Sequence, residues 1–158
     1  MEEHFEKLPL RNGVGIVVLN SQNKVFVAKR IDNPKNFWQM PQGGTDDGED
    51  YYKAALRELK EETGIKSISL IKEIDGFISY NLPNNLLGII WKGKYKGQKQ
   101  KWFVMRFIGD ESEIYIKTKH PEFLDWKWID LDDLPKIAVH FKLDVYKNLK
   151  QEVAKILN

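Results

Sequence analysis

The sequence predicts a single α+β domain over residues 1–158, and three observations carry this prediction. Short runs of β-branched and aromatic residues alternate with turn-forming residues, as is typical of strands. Two longer segments, 50–63 and 143–157, space their apolar residues as a helix does. No repeat, low-complexity stretch or linker divides the 158 residues, and that length suits one domain with a substantial core.

The first half of the chain is predicted to hold a β-hairpin, a short strand, a loop and a helix. The hairpin pairs residues 14–19 with 25–28 across a polar turn. After a loop at 33–36, a strand at 37–40 ends at Pro41, which cannot donate to a ladder. Gly43, Gly44 and Gly48 predict a loop, and the helix 50–63 then ends at Gly64.

The second half is predicted to form most of a sheet and a closing helix. Apolar runs indicate strands at 68–74, 77–80, 102–108 and 123–129. In the closing helix, 143–157, apolar residues recur at Leu143, Tyr146, Leu149, Val153 and Leu157.

Composition excludes several classes of protein. The chain contains no cysteine, which excludes disulfide scaffolds, thiolate metal sites and cysteine nucleophiles. It has no apolar run near the ~20 residues that a membrane helix needs. Residues 1–6 are acidic and lack the apolar core of a signal peptide, so we expect a cytoplasmic protein.

The net charge of +2 conceals two opposing blocks. Residues 43–65 carry −4, and the remainder carries +6. Residues 76–109 include no acid and six bases. An acidic block beside a basic remainder suits a site that holds both cations and a polyanion, although solvated surface charge would give the same totals.

The predicted helix 50–63 places three carboxylates together. At 100° per residue, Glu58, Glu61 and Glu62 share an arc of about 100°, beside an apolar stripe. Like charges at Glu58 and Glu62 would destabilise the helix by a few tenths of a kcal/mol unless something compensates. Mg²⁺ prefers such oxygen ligands. The alternative is a solvated face bridged by Arg57 and Lys60.

The spacing of the acidic segment favours the metal site. Gly43 is followed after five residues by Glu49, and after seven more by the run RELKEETGI at 57–65. This pattern resembles a complete Nudix box, which a chain of this length would match by chance once in ~10⁷ sequences. The resemblance implies the Nudix fold, an α/β/α sandwich around a mixed β-sheet. It also implies hydrolysis of a nucleoside diphosphate linked to another group, with Mg²⁺, or Mn²⁺ in its place, as cofactor.

The Nudix resemblance also implies roles for single residues. Glu58, Glu61 and Glu62 would bind metal or lie beside it, and one would accept the proton of the attacking water. Arg57 would orient a helix carboxylate, because its charged fork suits that geometry. Glu49 would brace the loop or join the metal site, and the Gly43 carbonyl would add a ligand.

Further segments narrow the resemblance to the bacterial RNA pyrophosphohydrolases, also described as (di)nucleoside polyphosphate hydrolases. They span roughly residues 10–150: WQMPQGG at 38–44, GQKQKWF at 97–103, HPEF at 120–123, WKW at 126–128 and FKLDVY at 141–146. Two departures stand out. Leu10-Arg11-Asn12 replaces the family's frequent Tyr-Arg-Pro, and two extra positions lie between Arg30 and Trp38.

This narrower resemblance assigns a second set of residues. Glu122 would be a fourth metal ligand or the base. The implied phosphate contacts are Arg11, Arg30 and Lys142. Phe141 would stack on a base, or else pack in the core. Lys101, with the lysine run from 92 to 101, would guide an RNA backbone, or else form a hairpin whose lysines protect a sheet edge.

Three functions remain open at this stage, and a fourth, the hydrolysis of mutagenic nucleotides, is disfavoured by the matches near the C-terminus. The first is removal of phosphate from a 5′-triphosphate or 5′-diphosphate RNA end. The second is hydrolysis of dinucleoside polyphosphates such as diadenosine tetra- or pentaphosphate. The third is a non-catalytic nucleotide-binding or RNA-binding module. The sequence leaves the oligomeric state open, with a monomer as the simplest expectation.

Overall fold

The computed structural model describes residues 5–32 and 35–158, so part of the predicted acidic start and part of the predicted 33–36 loop lie outside it. Its strands are β1 (Leu10–Leu19), β2 (Val25–Arg30), β3 (Gln42–Gly44), β4 (Ile68–Glu73), β5 (Ile78–Asn81), β6 (Gly97–Phe107) and β7 (Phe123–Ile129). Its helices are α1 (Tyr51–Thr63), α2 (Leu134–Ile137) and α3 (Leu143–Leu157). Single 3₁₀ turns occur at Ile90–Gly93, Glu111–Glu113, Leu131–Asp133 and His140–Lys142.

The seven strands form one mixed sheet around a central parallel pair. The main order is β4–β6–β1–β2–β7, and β1 runs parallel to β6 from Leu10↔Gly97 to Leu19↔Arg106. The remaining pairs are antiparallel, with β3 along the first part of β1 and β5 along the first part of β6. The first half of β1 therefore lies between β3 on one side and the start of β6, with its partner β5, on the other.

Side-chain alternation along β1 and β6 creates two cores, one on each face of the sheet. Val14 and Phe103 belong to the core under α1, whereas Val17 and Trp102 belong to the core under α3. The sheet lies between these helices, and the predicted α+β fold with a mixed sheet is confirmed. Among the described residues, no helix has the length and apolar character needed to cross a membrane.

Helix α1 begins and ends where its sequence requires. The Asp50 side chain accepts from the Lys53 N–H at 3.0 Å, which caps the start. Gly64 ends the helix with φ 76°, a left-handed conformation that glycine adopts without a Cβ penalty. Ala54, Ala55 and Leu59 are fully buried against the sheet. Because these residues face the sheet, the carboxylates on the adjacent side of α1 lie at the edge of the core under this helix.

Two local predictions before α1 were wrong. Only Gln39 of the predicted strand 37–40 pairs, through an isolated bridge to Ala28. The Trp38 N–H donates instead to the Ile137 carbonyl, which takes that residue out of the ladder. The loop predicted at Gly43 and Gly44 is instead part of β3, because residues without a Cβ can lie this close to the side chains above them.

The predicted strand 102–108 begins five residues earlier, at Gly97. Gln98 and Gln100 are buried there, and hydrogen bonds to Tyr80, Gln42 and Trp102 satisfy most of their polar atoms. Strand prediction from alternating apolar residues does not detect a polar segment of this kind, so the predicted strand began too late. Of the lysine run, only Lys99 and Lys101 lie in β6. Because β6 is paired on both sides, these two lysines do not protect an open sheet edge.

The segment before β3 is tied to α3 by one buried hydrogen bond. The Tyr146 hydroxyl accepts from the Met40 N–H at 2.8 Å, and both residues are almost fully buried. Tyr146→Phe should lower the free energy of unfolding by about 1–3 kcal/mol, because it leaves a buried N–H without an acceptor. Urea unfolding monitored by circular dichroism measures this loss.

Tyr115→Phe is the matched control, since Tyr115 is 58 % exposed. Losses of equal size in the two variants would contradict the role assigned to the Tyr146 hydroxyl.

Candidate active site

Arg57 joins the loop before α1 to the carboxylates of the helix. Its Nε and Nη2 donate to both oxygens of Glu49 at 2.9 Å, and Nη2 also donates to the Gly44 carbonyl at 3.1 Å. Its Nη1 donates to Glu58 at 3.0 Å and to Glu61 at 3.3 Å. One planar fork therefore holds three carboxylates and a backbone carbonyl in a fixed relation.

Glu49 also makes a hydrogen bond within the loop that precedes α1. Its Oε1 accepts from the Asp46 N–H at 3.0 Å. The hydrogen bonds from Arg57 lower the pKa of Glu49 to about 2. Because Arg57 occupies both carboxylate oxygens, this arrangement favours the bracing role predicted for Glu49.

Glu58 lies against the backbone of β3. A Cβ built on Gly43 would come within 2.3 Å of the Glu58 Oε2 atom, so a side chain at this position would displace the carboxylate. The Glu58 side chain is 15 % exposed. Burial raises its pKa, and the Arg57 charge opposes that rise. The absence of a side chain at Gly43 thus brings its backbone beside this carboxylate.

Glu62 is the most buried carboxylate of the helix. It is 6 % exposed, and its Oε2 atom has no hydrogen-bond partner among the described residues. Burial raises the pKa of Glu62 well above its usual value, and the nearby charges of Glu122 and Glu58 raise it further. Glu61 differs, since its side chain is 60 % exposed.

Glu122 reaches this helix from a different part of the chain. It precedes β7, at a point where the pairing with β2 shifts register between Lys29 and Arg30. Its backbone carbonyl accepts from the Ile31 N–H at 2.9 Å, which fixes its position beside β2. Because its charge acts on Glu62, the fold brings the predicted late carboxylate towards the helix.

These carboxylates fit a hard divalent cation by their chemistry. Within 5–32 and 35–158, no three His, Asp or Glu side chains are already arranged as a complete cation site. The orphaned Glu62 oxygen and the repulsion of Glu62 by Glu58 and Glu122 are nevertheless what a cation would relieve. Oxygen donors from Glu58, Glu62, Glu122 and the Gly43 carbonyl could hold it.

A cationic region lies beside the acidic one. Arg30 donates to Asp32 through two hydrogen bonds of 2.7 and 2.8 Å, so this predicted phosphate contact already has an anionic partner. Lys142 is 8 % exposed, and burial with the neighbouring Arg30 charge lowers its pKa to about 7. The two residues line one small cavity with Trp38 and Gln39.

An aromatic pair stands next to Lys142. The rings of Tyr80 and Phe141 lie 5.8 Å apart, and the Lys142 Nζ lies within 6 Å of both. Burial raises the pKa of Tyr80 to about 12, so its hydroxyl stays protonated and donates to Gln98. Sequence reasoning missed Tyr80, Gln42 and Gln98, because a polar residue inside a strand gives no signal of its own.

Arg11 and Lys101 lie on opposite faces of the sheet. Arg11 pairs with Gln98, on the α3 face, and its guanidinium covers Gly44. Lys101 pairs with Val14, whose side chain belongs to the α1 core. The Lys101 Nζ donates to the Gly76 carbonyl at 3.0 Å and lies 3.9 Å from Glu73. The structure therefore separates Lys101 from the other predicted phosphate contacts.

Comparison with known proteins identifies the family of this chain. The sequence pattern of the NUDIX domain matches residues 9–149, which is most of the chain. The chain belongs to the Nudix family. The prediction of Nudix membership from the box spacing is thereby confirmed.

Curated relatives of this Nudix protein match over almost their whole length. A protein named RNA pyrophosphohydrolase from Pelagibacter ubique is 70 % identical over 100 % of both chains. One of the same name from Rhodospirillum rubrum is 48 % identical over 93 % of this chain and 88 % of its own. The predicted likeness to bacterial RNA pyrophosphohydrolases is confirmed.

Solved Nudix structures share the fold at low identity. The dihydroneopterin triphosphate pyrophosphohydrolase of E. coli superposes with a TM-score of 0.71 at 22 % identity, over 92 % of this chain and 99 % of its own. An Ap4A hydrolase of C. elegans gives 0.62 at 21 %, over 90 % and 98 %. These likenesses establish the fold only.

The buried charge of Glu62 should make this Nudix protein less stable without a cation. Glu62→Gln removes a carboxylate whose raised pKa opposes folding at neutral pH, so the variant should have a higher free energy of unfolding than the unmodified protein in EDTA. Mg²⁺ should then raise the melting temperature of the unmodified protein more than that of the variant. Denaturant and thermal unfolding measure both effects.

Glu152→Gln, on α3 and paired with Lys155, is the control for removing a carboxylate elsewhere. A Glu62→Gln variant less stable than the unmodified protein in EDTA would contradict the assigned repulsion.

The Glu49–Arg57 pair should contribute to stability only above acid pH. The folded pKa of Glu49, about 2, lies below the ordinary value of 4.5, so its stabilising contribution is complete above about pH 5. The contribution is then lost as the pH falls towards 2. The unfolding free energies of the unmodified protein and Glu49→Gln should therefore converge in acid, as urea unfolding from pH 7 to 3 would show. A constant difference over that range would count against the pair.

Proposed function

We propose that this Nudix protein is an RNA 5′-end pyrophosphohydrolase. Water attacks a phosphorus of a 5′-triphosphate or 5′-diphosphate end and leaves 5′-monophosphate RNA with pyrophosphate or orthophosphate. The observation that carries the proposal is that the charges of Glu62 and Glu122 act on Arg30, so the carboxylates lie beside a cationic, aromatic cleft. This cleft consists of the small cavity lined by Arg30 and Lys142 and of the adjoining rings of Tyr80 and Phe141. The full-length likeness to proteins named RNA pyrophosphohydrolase supports the choice of substrate.

The acidic side of the site would hold the cofactor. Nudix hydrolases generally use divalent cations such as Mg²⁺. We assign the binding to Glu58, Glu62 and Glu122 with the Gly43 carbonyl, and an outer position to Glu61. A bound cation would neutralise phosphate charge and polarise the bond that is broken. Arg57 keeps Glu58 in place. One of the four carboxylates, Glu58, Glu61, Glu62 or Glu122, would receive the proton of the attacking water.

The cationic side would hold the substrate. Arg11 and Lys142 would contact the phosphate chain, and Arg30 would do so after exchanging part of its bond to Asp32. Phe141, with Tyr80 beside it, would stack on a nucleotide base, a contact worth about 1–3 kcal/mol that tolerates different bases. Lys101 could guide only a part of the RNA that passes to the α1 face of the sheet.

A dinucleoside polyphosphate is the second candidate substrate. The aromatic pair and the phosphate contacts would accept one end of such a molecule as readily as an RNA end. A non-catalytic binding module is weaker, because the box carboxylates, Arg57 and Glu122 are all present. We further propose that residues 1–158 act as one domain and that the protein acts in the cytoplasm, where its RNA substrate would be made.

A substrate panel tests the proposal. With Mg²⁺ and matched concentrations, 5′-triphosphorylated RNA should be hydrolysed faster than diadenosine tetraphosphate. Glu58→Gln should lower kcat/KM for both by about 100-fold or more, because it weakens charge stabilisation at the reacting phosphate. Product release followed by thin-layer chromatography measures both results.

Glu152→Gln serves again as the control and should keep the rate of the unmodified protein. Much faster cleavage of the dinucleotide would reverse the ranking of substrates. Full turnover by Glu58→Gln would remove the basis of the metal assignment, and no phosphate release from any substrate would revive the binding module.

A further inference from the structure

We propose that Trp91 is a positioning residue, which holds the Arg11 guanidinium at the phosphate end of the cleft. The inference rests on the proposed function only in requiring that this cleft binds a phosphate chain. It concerns how Arg11 is kept available, and it assigns a purpose to the unusual backbone at Ile90–Gly93.

Arg11 is a cation held by a ring and not by an acid. Its Cζ lies 5.2 Å from the centre of the Trp91 ring, within the range of a cation–π interaction. Its guanidinium covers Gly44, where a Cβ would come within 2.2 Å of Nη2. Among residues 5–32 and 35–158, no carboxylate pairs with Arg11 and no hydrogen bond satisfies its side chain.

Arg30 shows what the alternative arrangement looks like in the same chain. Asp32 occupies two of its N–H groups, so a phosphate must compete with that carboxylate. A ring face attracts the cation but accepts none of its in-plane hydrogen bonds, and all five N–H donors remain free for an anion. Trp91 therefore fixes the position of Arg11 without neutralising it.

The backbone at Trp91 is strained in a way that sequence alone does not favour. Trp91 and Lys92 have φ values of 53° and 58°, followed by Gly93 at 72°. A left-handed conformation is unfavourable for a residue with a Cβ, and it persists where surrounding structure enforces it. Such strain is concentrated at functional sites more often than elsewhere.

Neighbouring contacts enforce the turn and aim the ring. Trp91 packs against the α3 core, and Tyr95 meets its ring edge-on at 6.2 Å. The Lys96 N–H donates to the Pro9 carbonyl at 3.1 Å, and the parallel pairing of β6 with β1 begins directly after it. The turn and Arg11 are thus fastened to adjacent strands, so the distance between ring and cation is set by the sheet.

Positioning of this kind should affect binding more than chemistry. Arg11 lies above Gly44, on the far side of β3 from Glu58, because consecutive residues of a strand point to opposite faces. Loss of the ring would let the guanidinium move while the carboxylates stay in place. We therefore expect KM to rise and kcat to change little.

Binding of inorganic tripolyphosphate in EDTA, measured by calorimetry, tests the inference without RNA, turnover or metal. Trp91→Leu keeps an apolar side chain but removes the π face, and it should weaken binding by about 3- to 10-fold. Trp91→Phe keeps a ring with a weaker attraction for cations, so its affinity for tripolyphosphate should lie between those of the unmodified protein and Trp91→Leu. In an Arg11→Ala background, Trp91→Leu should cause no further loss. Tyr115→Leu controls for the loss of an exposed aromatic residue.

Kinetics with triphosphorylated RNA supply the second readout, with KM raised by a similar factor and kcat within about 2-fold. Equal tripolyphosphate affinity in Trp91→Leu, no binding by the unmodified protein, or a full additional loss in the Arg11→Ala background would each overturn the inference. A ring-dependent affinity without RNA turnover would leave it standing and refute the proposed function instead. If Trp91→Leu does not fold, the difference between Trp91→Phe and the unmodified protein decides the question.

Discussion

The site depends first on the guanidinium of Arg57. Five hydrogen bonds leave this one group, and they join the loop at Gly44, the brace at Glu49 and the carboxylates of α1. Loop and helix would otherwise be free to separate, because a glycine-rich segment loses much entropy when it is ordered. The position of Glu58 against Gly43 follows from this restraint. Lysine could not replace Arg57, since a point charge cannot address several oxygens in one plane.

A second constraint is the concentration of negative charge that Arg57 does not neutralise. Glu62 is buried with an unpartnered oxygen beside Glu58 and Glu122, so its ionised form costs free energy in the folded state. A protein selected for stability alone would place an apolar or amide side chain there. This cost supports the proposed cation site at Glu62, and the cationic residues beside it support the proposed phosphate contacts.

The helix-forming and apolar residues of 50–63 predicted α1, and the following glycine predicted its end at Gly64. Helical geometry then predicted the grouping of Glu58 with Glu62, because it converts spacing into position. Features that depend on contacts between distant parts of the chain could not be predicted in this way. The early start of β6 is hidden by Gln98 and Gln100, whose burial depends on partners from other strands. The pairing of Arg30 with Asp32 and the ring beside Arg11 arise from local conformations that residue types alone do not encode.

The parallel β1–β6 pair also has a consequence for the order in which the site assembles. The Arg57–Glu49 contact spans eight positions of the chain and can form as soon as α1 does. Arg11 meets Gln98 only when a loop of more than eighty residues has closed, and such non-local pairing slows folding. The acidic half of the site is thus a local structure, whereas the cationic half is a product of the completed sheet. A partly folded chain could acquire the first without the second.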